Sequence, residues 1–91
     1  MLVGRRYVIS GRVQRVGYRM FAAESAGREG ISGYVRNQHD GTVEVVAEGD
    51  AEALERFERA LRQGPRGGRV EDVVTTQIDP VGRFGTFTIK G

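Results

Sequence analysis

Two stretches of alternating residues flank the dipeptide Asp40-Gly41, and this feature restricts the possible folds more than any other. Apolar or small residues occupy every second position over 31–35 and again over 43–47. An Asp-Gly pair tolerates the positive φ angles that a tight turn between antiparallel strands requires. The sequence therefore predicts two neighbouring antiparallel strands joined by a hairpin.

The same search for periodicity places a strand and a helix on each side of this hairpin. The predicted elements are a strand at 6–13, a helix at 19–29, the two hairpin strands, a helix that begins after Asp50 and ends at Gly64-Pro65, and strands at 70–78 and 84–89. Alternation marks the strands, and apolar spacing of three to four residues marks the helices. The side chains predicted to face the core are Tyr7, Ile9 and Val13 of the first strand, and Leu54, Phe57, Ala60 and Leu61 of the second helix.

The order of these elements is βαββαβ followed by a terminal strand, the split βαβ plan of ferredoxin-like folds. Right-handed crossovers place both helices on one face of an antiparallel sheet. We therefore predict a ferredoxin-like α+β sandwich, and 91 residues suffice for a single domain over 1–91. In this plan the loop at 14–19 and Asn37, at the end of the first hairpin strand, lie at the same edge of the sheet.

Residue types absent from the chain exclude several kinds of chemistry. There is no cysteine and only one histidine, His39, so a thiolate nucleophile, a disulfide framework and a Cys/His zinc site are all excluded. The apolar stretches are too short to cross a membrane, and the first residues lack an apolar signal-peptide core. We expect a cytoplasmic protein without a metal or another cofactor.

The N-terminal segment favours a negatively charged ligand. The first nineteen residues contain five arginines and no acid. Within them, the stretch Gly11–Arg19 connects a strand to a helix start, where free backbone N–H groups and the helix dipole attract anions. Gly17 permits close backbone approach, and Arg19 can add a bidentate contact to a phosphoryl group. On spacing alone, a turn glycine and a solvated arginine remain an alternative explanation.

Two motifs in this chain resemble the signatures of the acylphosphatase family. The first is Gly11-x-Val-Gln-x-Val-x-Tyr-Arg19, and the second is Gly33-Tyr-Val-Arg-Asn37-x-x-x-Gly41-x-Val43. The likeness continues through Gly64-Pro65 to the last strand. The resemblance implies an enzyme that hydrolyses the carboxyl–phosphate bond of acyl phosphates without a metal or cofactor. It further implies that Arg19 binds the phosphoryl group and that Asn37 positions the attacking water.

The residues expected to form the phosphate cradle are Gln14, Arg15, Val16, Gly17, Tyr18 and Arg19. Arg15 departs from the family, which usually has glycine there, and it is either strained or a second cation at the cradle. Tyr18 replaces a common phenylalanine. We expect a monomer that binds small acyl phosphates, with inorganic phosphate as product and competitive inhibitor, and that binds neither nucleic acid nor a membrane. Whether the carboxylate of Gly91 contacts Arg19 stays open.

Two other functions fit the same predicted topology. RNA-recognition modules share it, but they stack bases on aromatic residues of the central strands. The strand at 42–48 has no aromatic residue and two acids, which disfavours RNA binding. The second alternative is a catalytically weak regulatory fold, like the amino-terminal acylphosphatase-like domain of a hydrogenase maturation protein. The length of 91 residues argues against this regulatory function, whereas the replacement of the family's usual glycine by Arg15 leaves it open.

Overall fold

The computed structural model describes all 91 residues, and its strands and helices follow the predicted order. The elements are β1 (Val3–Arg12), α1 (Tyr18–Glu29), β2 (Ser32–Asn37), β3 (Val43–Gly49), α2 (Ala51–Gln63), β4 (Arg69–Ile78) and β5 (Phe87–Lys90). The main differences from prediction are that β1 begins three residues earlier and β5 three residues later. Neither helix is long and apolar enough to cross a membrane.

The five strands form one sheet in the order β4-β1-β3-β2-β5. Four of them pair antiparallel, as predicted, and the ferredoxin-like fold class is confirmed. The terminal strand β5 pairs in parallel with β2, so the complete sheet is mixed rather than antiparallel. This arises because the chain reverses direction over 79–86 before it reaches the free edge of β2.

The hydrophobic core lies between the sheet and the two helices. Tyr7 and Phe57 pack edge to face with ring centroids 6.0 Å apart, and Phe57 meets Phe87 in the same manner at 5.9 Å. The predicted core residues are buried, except for Ala60, which is only half-buried. Asp50 does precede α2, but its side chain makes no capping hydrogen bond and lies 3.7 Å from the terminal ammonium group.

The central strand β3 approaches β2 so closely that one position requires glycine. Gly33 of β2 has a φ of 138°, and a Cβ atom there would lie 1.9 Å from the carbonyl oxygen of Val46. At the other end of this pairing, Val43 faces both Asn37 on β2 and Ile9 on β1. The end of β1 and the end of β2 therefore flank the same residue, as the predicted topology requires.

Candidate active site

The loop between β1 and α1 has an alternating backbone conformation. Arg15 has a φ of 64° and Gly17 a φ of 77°, both in the left-handed region, and Arg15 is the one non-glycine residue of the chain found there. Gly17 is the N-cap of α1, no side chain caps this helix, and its first turn contains no acid. The backbone N–H groups at the start of α1 are thus available to an anion, and the helix dipole favours one.

Gln14 connects this loop to the β2–β3 hairpin. Its Nε2 donates to the carbonyl oxygens of Gln38 at 2.8 Å and Thr42 at 2.9 Å. The hairpin carries Asn37, so the side chain of Gln14 links the two segments of the predicted site. Gln14 does not line the cleft between them. Its side chain therefore holds the loop to the hairpin and does not reach into the cleft.

Val16 and Tyr18 fix the loop to the core. Val16 is half-buried and packs against the core, and Tyr18 is buried. The Tyr18 hydroxyl donates to the carbonyl oxygen of Leu61 at 2.6 Å, and burial raises the pKa of this phenol far above its usual range. Tyr18 stands where the family commonly has phenylalanine, and its additional hydroxyl has a hydrogen-bond partner in α2. Packing of Val16 and Tyr18 against the core holds the loop in place.

A cleft of about 280 Å³ opens where the loop, the end of β2 and β5 meet. It is lined by Val13, Arg15, Gly17, Tyr18, Arg19, Met20, Asn37 and Ile89. Five of the seven predicted site residues line it, including both residues expected to act in catalysis. The exceptions are Gln14 and Val16.

The side chain of Arg19 is oriented by the end of the chain. Its Nη1 donates to the carbonyl oxygen of Lys90 at 3.0 Å. The contact that the sequence left open is thus made by a main-chain carbonyl, and Arg19 forms no ion pair with the Gly91 carboxylate or with any other acid. Arg19 consequently keeps its positive charge uncompensated beside the cleft.

Asn37 presents an unused acceptor. Its Oδ1 is buried and has no hydrogen-bond partner in the protein. A buried polar atom without a partner is costly, and native proteins retain few of them. The other such atom in the chain, the Tyr7 hydroxyl oxygen, lies in the core, so Asn37 is the one that lines a cleft.

The charges along the cleft are of one sign. Two arginines line it and no carboxylate does, and no group of three or more His, Cys, Asp or Glu residues anywhere in the chain is arranged to hold a metal ion. His39 is exposed on the hairpin and lines a neighbouring groove instead. The cleft therefore has the electrostatic character of an anion site.

Sequence reasoning missed the contribution of the last strand. Ile89 lines the cleft and Lys90 orients Arg19, because β5 pairs in parallel with β2, with Val35 facing Ile89 and Arg36 facing Lys90. Alternation over 84–89 predicted a strand but carried no information on its partner. Met20 was also missed, although its position next to Arg19 was a usable signal.

Fold and cleft together define a ferredoxin-like α/β sandwich with a positively charged loop ahead of its first helix. The chain belongs to the acylphosphatase family, whose model matches residues 5–89. It is 59% identical to an acylphosphatase of Thermus thermophilus over 66 residues, which are 72% of this chain and 75% of that relative.

Solved structures agree with this assignment. The crystal structure of acylphosphatase from Bacillus subtilis superposes with a TM-score of 0.94 at 35% identity, covering all of both chains. The structure of HypF from T. kodakarensis gives a TM-score of 0.81 at 32% identity, with this chain covering 12% of that larger protein. The fold thus occurs both as a small protein and as part of a longer one.

Proposed function

We propose that this protein hydrolyses acyl phosphates to a carboxylate and inorganic phosphate, without a metal ion. The observation that carries the proposal is the buried, unpartnered Oδ1 of Asn37 in the same cleft as the uncompensated guanidinium of Arg19. Membership of the family and relatives named acylphosphatase support the reaction class.

In this proposal the phosphoryl group binds at the start of α1. Backbone N–H groups of residues 15–19 and the guanidinium of Arg19 donate to its oxygens, where the helix dipole adds to the attraction. Phosphoryl transfer to water has a loose transition state with charge on the equatorial oxygens. Fixed donors that already point at that charge lower the barrier by electrostatic stabilisation.

Asn37 would position the water that attacks phosphorus. Its Oδ1 accepts a hydrogen bond from this water, and its carboxamide stays neutral over the physiological pH range. The water oxygen forms the new bond to phosphorus while the bond from phosphorus to the acyl oxygen breaks, and the electron pair leaves with the carboxylate. One water proton passes to a phosphate oxygen or to bulk water.

A carboxylate is a good leaving group, so the reaction does not need a strong general acid. The cleft contains no carboxylate or imidazole that would act as one. Inorganic phosphate would occupy the same cradle and inhibit competitively. We further propose that the protein acts as a cytoplasmic monomer.

RNA binding finds less support than hydrolysis. Glu44 and Glu48 of the central strand are buried on the face where RNA-recognition modules carry stacking aromatics. The second alternative is a regulatory role with weak catalysis, like that of an acylphosphatase-like domain in a longer protein. Measuring the rate of acyl phosphate hydrolysis distinguishes this role from that of an enzyme.

The test is hydrolysis of benzoyl phosphate in the presence of EDTA, with inorganic phosphate added as a competitor. The proposal predicts saturable turnover that EDTA leaves unchanged and that phosphate inhibits competitively. Turnover no faster than in buffer, or turnover abolished by EDTA, would contradict it.

A further inference from the structure

Arg15 occupies a backbone conformation that does not suit it. Its φ of 64° lies in the left-handed region, which residues with a Cβ atom adopt rarely and at a cost. The side chain of Arg15 does not compensate for this cost, because it is exposed and forms none of the ion pairs of the chain. It also forms none of the side-chain hydrogen bonds that stabilise the site. A strained residue without a structural partner is a candidate for a functional one.

The other cations near the cleft already have partners in the protein. Arg36 is paired with Glu44 at 2.5 Å, and the Lys90 ammonium group lies 4.1 Å from the centre of the Tyr34 ring. Arg19 is held by the carbonyl of Lys90. Arg15 is thus the cation of the cleft lining that no group of the protein engages.

The phosphoryl group of the proposed substrate already has Arg19 and the amides at the start of α1. A second guanidinium in the same cleft of about 280 Å³ is available to a different negative charge on the same ligand. We infer that Arg15 makes this cleft selective for acyl phosphates whose acyl part carries a second anionic group, such as a carboxylate. This inference rests on the proposed function and specifies its substrate class.

The experiment compares two substrates that differ in one group, meta-carboxybenzoyl phosphate and meta-methylbenzoyl phosphate. Arg15→Asn removes the guanidinium and keeps a residue that tolerates the left-handed region, whereas Arg15→Lys keeps a positive charge. Arg12→Asn is the matched control, since Arg12 is exposed at the end of β1 and does not line the cleft. The measured quantity is the ratio of kcat/KM for the two substrates, in which the electronic effect of the substituent cancels between variants.

We expect the wild type to favour the carboxylate-bearing substrate, and Arg15→Asn to lower this preference about fivefold, the size of an exposed ion pair. Arg15→Lys should retain part of the preference, and Arg12→Asn all of it. The same substrate preference in wild type and Arg15→Asn would overturn the inference. An equal loss of preference in Arg12→Asn would also overturn it, because it would show a long-range electrostatic effect of any nearby arginine instead of a contact with Arg15.

A binding measurement separates this inference from the proposed function. Phosphonopropionate and propylphosphonate also differ by a carboxylate in place of a methyl group, and neither contains an acyl phosphate bond that could be hydrolysed. Calorimetry gives their relative affinities for the protein. If the wild type turned over neither substrate, the proposed hydrolysis would fail. The affinity ratio in wild type and Arg15→Asn would still decide whether Arg15 recognises a second anion.

Discussion

Two arginine-rich regions of this protein treat their charges in opposite ways. On the outer face of the sheet, opposite the helices, Glu44 lies between Arg6 at 2.6 Å and Arg36 at 2.5 Å, and its side chain is 6% exposed. In the cleft, Arg15 and Arg19 have no acid beside them, and the Oδ1 of Asn37 has no partner. Compensated charges stabilise the fold, whereas uncompensated ones are available to a ligand.

The largest effect that this comparison predicts is that of Arg19→Ala. We expect kcat/KM for benzoyl phosphate to fall at least about a thousandfold, because a preorganised donor to the transition state is lost. Inhibition by phosphate should vanish as well. Arg6→Gln, which removes an arginine from the outer face, is the control and should keep the activity. Unchanged phosphate inhibition in Arg19→Ala would remove Arg19 from the site.

The reverse pattern is expected for Glu44→Gln. Replacing the carboxylate leaves Arg6 and Arg36 next to each other without a counter-charge, and hydrogen bonds to charged groups contribute about 2 kcal/mol. The free energy of unfolding in urea should therefore fall by about 2 kcal/mol, while kcat stays near that of the wild type. A variant that lost activity but not stability would break the division between the two regions.

Glu44 also predicts a dependence of stability on pH. Burial on its own would raise the pKa of Glu44, but the hydrogen bonds and charges of Arg6 and Arg36 outweigh it and lower the pKa overall. The contribution of Glu44 to stability is therefore complete above the ordinary pKa of a glutamate, about 4.3, which applies to the unfolded chain. It is lost as the pH falls through the lowered pKa of the folded protein. Urea unfolding at a series of pH values should show a smaller loss of stability in acid for Glu44→Gln. Equal losses in both proteins would contradict this.

The smallest effect concerns the strain at Arg15. Glycine adopts a φ of 64° without a steric penalty, but it also makes the unfolded chain more flexible. Arg15→Gly should therefore raise the free energy of unfolding by up to about 1 kcal/mol in urea titrations. A decrease in stability would show that the Arg15 side chain supports the fold after all.

The sequence was sufficient for the parts of the site that rest on local chemistry and topology. Asp40-Gly41 predicted the hairpin, and the βαββαβ order brought Arg19 and Asn37 to one edge, as their shared cleft confirms. Arg15, where the family usually has glycine, was expected to be either strained or a second cation, and its φ of 64° lies in the left-handed region.

The remaining features depend on long-range contacts that have no local signal. The parallel pairing of β5 with β2 brings the Lys90 carbonyl to Arg19, and nothing in the alternation of 84–89 indicates that partner. The double hydrogen bond of Gln14 to the hairpin likewise depends on the distance between two loops. Such contacts follow from packing, which the residue pattern constrains only indirectly.

The most direct test of the account is Asn37→Ala, measured by turnover of benzoyl phosphate and by inhibition with inorganic phosphate. If the free Oδ1 orients the attacking water, kcat should fall by about a hundredfold or more while the inhibition constant for phosphate stays nearly unchanged. A large loss of phosphate affinity, or a kcat close to that of the wild type, would contradict the proposed role of this side chain.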